Sequence, residues 1–218
     1  MCAQARVLAM HSTPRLRQSW QRAWAALGAT PEAGLFERLV ACYNEPHRSY
    51  HTLQHLAECI ERLAVSLETA EQPGEVEVAL WFHDAIYAVR RHDNEQQSAN
   101  WAKAACLAGG ASSEAAGRVF DLVMATRHSA LPETPDERLL VDVDLSILGA
   151  APARFDEYER QVEEEYAWVP RWLFRRKRRA VLREFLDRST IFTTERVREH
   201  LEARARENLQ RSLARLAD

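Results

Sequence analysis

LQHLAECIERLAVSL, residues 53–67, places Leu53, Leu56, Ile60, Leu63 and Leu67 at alternating steps of three and four. That spacing draws one continuous apolar stripe along a helix, which Pro73-Gly74 brings to an end. The same rhythm extends in both directions. Upstream, Trp20, Trp24 and Leu27 mark a first helix, and Leu35, Leu39 and Tyr43 a second that stops at the turn-forming Asn44-Glu45-Pro46. Downstream, a helix is expected from Val76 to about Tyr87 and another from Asn94 to Leu107, closed by Gly109-Gly110. Ser112 or Ser113 can cap a helix through Val119, Phe120 and Val123, and 129–135 reads as a loop. Asp136 opens the apolar stretch Leu139–Leu148, which Gly149 ends. Three long helices follow, near 153–168, 170–187 and 194–216, with Pro170 at a helix start and Thr193 or Thr194 as a cap. Runs of alternating β-branched residues are scarce, so the fold class is all-α.

The chain has 218 residues, enough for a core of its own, and no repeat or low-complexity linker divides it. A single helical domain over 1–218 is therefore expected. A net charge of −3 gives no global basic field, so neither a nucleic-acid polymer nor a membrane surface is expected as a partner. Cys2, Cys42, Cys59 and Cys106 form no CxxC pair, so they read as reduced packing residues. The start of the chain lacks a basic segment followed by an apolar run, and no stretch of about 18 apolar residues occurs. A cytoplasmic protein is the corresponding expectation.

Metal-assisted hydrolysis needs neutral imidazoles and carboxylates that converge while leaving a position open. Such a set occurs here, in order, as His51, the adjacent pair His83-Asp84, and Asp144 within Asp142-Val143-Asp144-Leu145. The pair follows Leu80-Trp81-Phe82, and both acids of the second motif stand among Leu and Val, where an unpartnered charge is costly. Adjacent helical residues point roughly 100° apart, so His83 and Asp84 can share one ion only near a helix end. Taken singly, each member is equally well read as a hydrogen-bonded histidine or a capping aspartate.

The order His, then His-Asp, then Asp on successive helices resembles the HD-domain superfamily of metal-dependent phosphohydrolases, over about residues 48–149. Arg48-Ser49-Tyr50-His51 and Asp142-Val143-Asp144 are similar to the Arg-x-x-His and Asp-Val-Asp of its deoxynucleotide triphosphohydrolases. RSYHTLQH, FHDAIY, DNEQQSA and DVDLSILG resemble a bacterial subgroup described only as predicted HD phosphohydrolases. The resemblance implies a helical bundle of the HD type, with the C-terminal helices of about 153–216 packed on the core. It also implies His51, His83, Asp84 and Asp144 as ligands to a divalent Mn, Fe, Ni, Zn or Mg ion.

Around that set, His55 lies one turn beyond His51, as a further ligand or, preferably, a substrate contact. Glu95, a short loop after His-Asp, resembles the carboxylate that orients or deprotonates the attacking water, although Asp93 or Asn94 capping a helix explains the same string. His128, at a helix end, can supply a second-metal ligand or a proton donor, or be merely exposed. Arg48 is the residue expected to meet a substrate phosphate, with pairing to Glu45 as the plainer alternative. The run Arg175–Arg179 reads as a solvated face, and Trp168, Trp172 and Phe174 as core. The expected activity is hydrolysis of a phosphoester in a nucleotide or similar small metabolite. The rivals are a nucleotide-sensing regulator and a di-iron oxygenase on the same fold, the latter requiring more ligands.

Overall fold

Residues 73–82 carry bulky apolar side chains on every side of the helix they form, a pattern suited to an interior position. The computed structural model describes residues 3–128 and 130–217, with side chains from residue 14 onward within them, and buries this segment from Gly74 through Phe82. Cys2 and Ser129 lie outside the described residues. The helices run α1 (Ala3–Leu27), α2 (Leu35–Cys42), α3 (Leu53–Ala64), α4 (Pro73–Phe82), α5 (Asn94–Ala108), α6 (Ser113–Ala125), α7 (Pro135–Asp144), α8 (Pro152–Glu165), α9 (Arg171–Asp187) and α10 (Glu195–Ala217). Short 3-10 turns cover Leu67–Thr69 and Leu145–Gly149, and no strand occurs among the described residues. None of these helices is long and apolar enough to cross a membrane. The chain divides into two compact units, Met1–Val141 and Asp142–Asp218.

In the first unit α4 is surrounded by α1, α3, α5 and α6. Trp20, Trp24, Phe36 and Trp81 form an aromatic cluster with ring centroids 5.2–5.9 Å apart, mostly tilted or edge-on as ring quadrupoles prefer. Two acids inside α4 are buried with partners. Glu77 accepts from Ser19 Oγ at 2.6 Å and from the Arg22 guanidinium, while Glu75 takes both arms of Arg118 at 2.7 and 2.8 Å. Trp81 Nε1 donates to the same Ser19 oxygen at 3.0 Å, so Ser19 links the indole of the cluster to the buried Glu77 carboxylate.

In the second unit α10 packs on α9 and on the Leu145–Gly149 turn. The Asn208 side-chain amide donates to the carbonyls of Leu148 and Ala150, both at 2.9 Å, which anchors that turn. Asp142, fully buried, accepts the backbone N–H of Thr193 at 2.9 Å and that of Thr194 at 2.6 Å, with both threonine hydroxyls beside them. The cap of α10 is thus a carboxylate from another helix, with the threonines as donors. Burial pushes the Asp142 carboxyl up, and the hydrogen bonds from Thr194 and Thr193 draw it back in part. Asp142→Asn keeps the volume but loses the charge and one acceptor, and is expected to cost about 1–2 kcal/mol. Thermal denaturation checks this, and an unchanged midpoint would mean that the threonine hydroxyls cap α10 unaided.

Trp168, ahead of α9, and Trp172, in its first turn, depart from expectation. Trp168 keeps 50 % of its surface and Trp172 67 %, and Leu182 is the buried residue of the helix. Trp172 is a surface residue because α9 spends its inward face on Leu182 and on Arg178, which pairs with Glu159 and lies 5.0 Å over the Tyr158 ring.

Candidate metal centre

Thr52 has extended backbone and accepts the N–H of Gln54 at 3.3 Å, so α3 starts at Leu53 and His51 stands ahead of the helix. His55 falls in the first turn. On the other side, α4 stops at Phe82, earlier than the apolar pattern suggests, with His83 as its C-cap and the Ala85 N–H turning back to the Phe82 carbonyl at 2.9 Å. The following segment cannot continue the helix because its backbone groups are claimed elsewhere. The carbonyls of Asp84 and Ala85 go to Arg48, the N–H of Ile86 donates to Ser98 Oγ, and the Asn94 side chain pairs with both the N–H and the C=O of Ala88. His83 and Asp84 therefore sit at a helix end, the one place where neighbours can share an ion.

Three ligand-type atoms meet there. His55 Nε2 lies 3.1 Å from His83 Nε2, His83 Nε2 3.0 Å from Asp84 Oδ2, and His55 Nε2 3.5 Å from Asp84 Oδ2. His83 Nδ1 donates to the Leu80 carbonyl at 2.7 Å, which leaves the lone pair of a neutral ring on Nε2, facing a carboxylate oxygen. Two electron-pair donors at that distance repel unless a positive charge lies between them. One proton can serve two edges of the triangle; a cation serves all three. With ligand bonds of about 2.1 Å, neighbouring donors on one ion stand about 3.0 Å apart in an octahedron and about 3.4 Å in a tetrahedron, so the observed edges suit a metal. The two histidines are buried, and the Asp84 side chain keeps 17 % of its surface, so the group opens on the carboxylate side.

Burial raises the Asp84 carboxyl, but the imidazoles of His83, His51 and His55 outweigh it and hold the group well below the usual carboxylate range. His51 thus acts on the same carboxylate. Its ring stacks on Tyr87 at 4.1 Å and lies 6.1 Å from that of His55. His55, expected on the substrate side, is brought into the tight triangle. The expected shared helical face fails because α3 begins only after His51.

Arg48 was expected to face a phosphate. Its side chain is fully buried; Nε donates to Glu45 Oε2 at 3.0 Å, with Nη2 2.9 Å from the same oxygen in the ion pair, Nη1 donates to the carbonyls of His51 and Asp84 at 3.1 and 2.6 Å, and Nη2 to that of Ala85 at 3.0 Å. A guanidinium has five N–H donors, and four of them make these hydrogen bonds, beside the ion pair to Glu45. The rings of Tyr43 and Tyr87 each lie 5.4 Å from its central carbon. Both tyrosines escaped the sequence reading, which placed them only as the apolar ends of helices. Tyr43 also joins the segments, because its hydroxyl donates to the Trp81 carbonyl and accepts the N–H of Asp84. Burial above all, and then Asp84, pushes that phenol well above its ordinary value.

Glu95 lies in the first turn of α5. His128 follows α6 with a φ of 55°, the left-handed conformation that closes helices, and its N–H donates to the Ala125 carbonyl. Asp144 is the last residue of α7, where the chain passes into the 3-10 turn. Comparison with protein-family models, with curated proteins and with solved structures finds no match for this chain.

Proposed function

We propose that this chain is a metal-dependent phosphohydrolase of the HD type, acting on a small phosphorylated substrate such as a nucleotide. The observation that carries the reading is the meeting of His55 Nε2, His83 Nε2 and Asp84 Oδ2 at the edge lengths of one coordination sphere. In this proposal Asp144, the second acid of the Asp-Val-Asp motif, adds a carboxylate, and His51 stands beside Asp84. The chemistry that a divalent cation supplies when bound is Lewis acidity toward a phosphoester. The residues do the rest. The Leu80 carbonyl fixes the His83 tautomer, so that Nε2 presents its lone pair inward. Glu95 is assigned the orientation of the attacking water, a role carried by the resemblance, and His128 that of a second-metal ligand or a proton donor. Mixed imidazole and carboxylate donors suit Mn, Fe, Ni, Zn or Mg.

The test is metal analysis of protein purified without chelators, followed by a screen of phosphorylated metabolites with Mn, Ni, Co and Mg for released phosphate or pyrophosphate. One exchangeable divalent ion per chain and chelator-sensitive release are expected. Two tightly held irons would favour an oxygenase, and metal uptake with ligand binding but no turnover a sensor.

A further inference from the structure

We propose that Arg48 is a positioning residue of the metal centre, holding its two ligand-bearing segments in register without touching substrate. The inference rests on the metal reading above and deepens it. The two segments come from distant parts of the chain, one leading into α3 and the other leaving α4. On the first, Arg48 holds the carbonyl of His51 at 3.1 Å; on the second, those of Asp84 and Ala85 at 2.6 and 3.0 Å. A single planar group therefore spans from the residue four before His55 to the residue that follows His83. The Nη1 atom alone carries one hydrogen bond to each segment, so a shift of either moves an N–H away from its acceptor.

The chemistry suits guanidinium and no other side chain. Carbonyl oxygens on two segments plus a carboxylate require donors diverging in one plane, and the charge has to stay on at every pH. Glu45 balances that charge at the outer edge, where its side chain keeps 41 % of its surface, and the guanidinium carbon lies over the rings of Tyr43 and Tyr87. Helix ends leave carbonyls without intrahelical partners, so the group that takes those after α4 also decides where Asp84 points. Partners of this kind, one step removed from a metal, typically contribute about 10–100-fold to its affinity.

The experiment is calorimetric titration of Mn²⁺ into wild type, Arg48→Gln, Arg48→Lys and Glu45→Gln, followed by inorganic phosphate binding at saturating Mn²⁺. Arg48→Gln is expected to weaken Mn²⁺ binding by about 10–100-fold, with phosphate affinity at saturating metal unchanged. Arg48→Lys should recover part of the metal affinity, because an ammonium reaches one segment but not both. Glu45→Gln, at a partly exposed site that should fold normally, should give a smaller loss of the same sign. Unchanged Mn²⁺ affinity with weakened phosphate binding would overturn the proposal and make Arg48 a substrate contact. A lower melting temperature with unchanged Mn²⁺ affinity in all three variants would also overturn it. Wild-type protein that takes up no Mn²⁺ or other divalent ion would overturn the metal reading itself, an outcome distinct from the other two.

Discussion

Asp84→Ala is expected to release the metal and abolish hydrolysis, with activity falling at least about a hundredfold, while the helical content stays as in wild type. The carboxylate supplies two of the three short edges of the triangle, at 3.0 and 3.5 Å, and the negative charge in it. Without it, His55 and His83 remain 3.1 Å apart as a neutral pair that one proton satisfies, so no cation is required. The fold should survive, because Asp84 joins the backbone scaffold through its N–H and C=O, which bond to Tyr43 Oη and Arg48 whatever the side chain. Metal content and circular dichroism on the same preparation check both halves. Full metal stoichiometry in this variant would sink the assignment.

Gly74→Ala is expected to destabilise the first unit by about 3 kcal/mol, against the sign that helix propensity gives. Alanine in place of a helical glycine is worth up to about 1 kcal/mol in the other direction. Here, however, an added Cβ would stand 2.5 Å from the Leu27 backbone nitrogen and 2.7 Å from the Ala26 carbonyl carbon. Backbone atoms cannot rotate away, so the end of α1 and the start of α4 would have to part, disturbing the ring contact of Trp20 with Trp81. A melting temperature lower by about 6–12 °C is the expected readout. A rise would show that α1 adjusts freely against α4.

The positions of the helices were legible because apolar stripes at steps of three and four require no knowledge of what they pack on. Leu56, Ile60 and Leu63 of the apolar stripe are buried as expected, with Leu53 half-buried at its start, and Ser112 caps α6 by accepting the N–H of Ala115. What escaped depends on partners distant in sequence. The end of α4 at Phe82 is set by Arg48, Ser98 and Asn94 taking the backbone groups that follow, and no local pattern announces it. That His55 joins the tight triangle turns on Thr52 as a cap, which starts α3 at Leu53 and puts His55 in its first turn. Arg48 was singled out by its motif, but whether its donors face a ligand or the protein depends on carbonyls 36 and 37 positions away. Trp168 and Trp172 were read as core from their apolar character alone, which says nothing about whether a neighbour covers them.

Helix α7 carries, near its two ends, acids that serve helices other than its own. Asp136 accepts the N–H groups of Glu71 and Gln72 at 2.8 and 2.9 Å, just ahead of α4, as Asp142 accepts those of Thr193 and Thr194 ahead of α10. Neither Glu71 nor Gln72 uses a side chain in that role, and Gln72, at the N-cap position of α4, makes no capping hydrogen bond of its own. The loop before α4 is consequently released from the usual demand for Ser, Thr, Asp or Asn. In a library of substitutions at 71 and 72, almost any residue with a backbone N–H should be accepted and proline rejected, while position 136 should tolerate very little. Mutational freedom in this protein thus lies where the chain receives a cap, and constraint where another helix provides it.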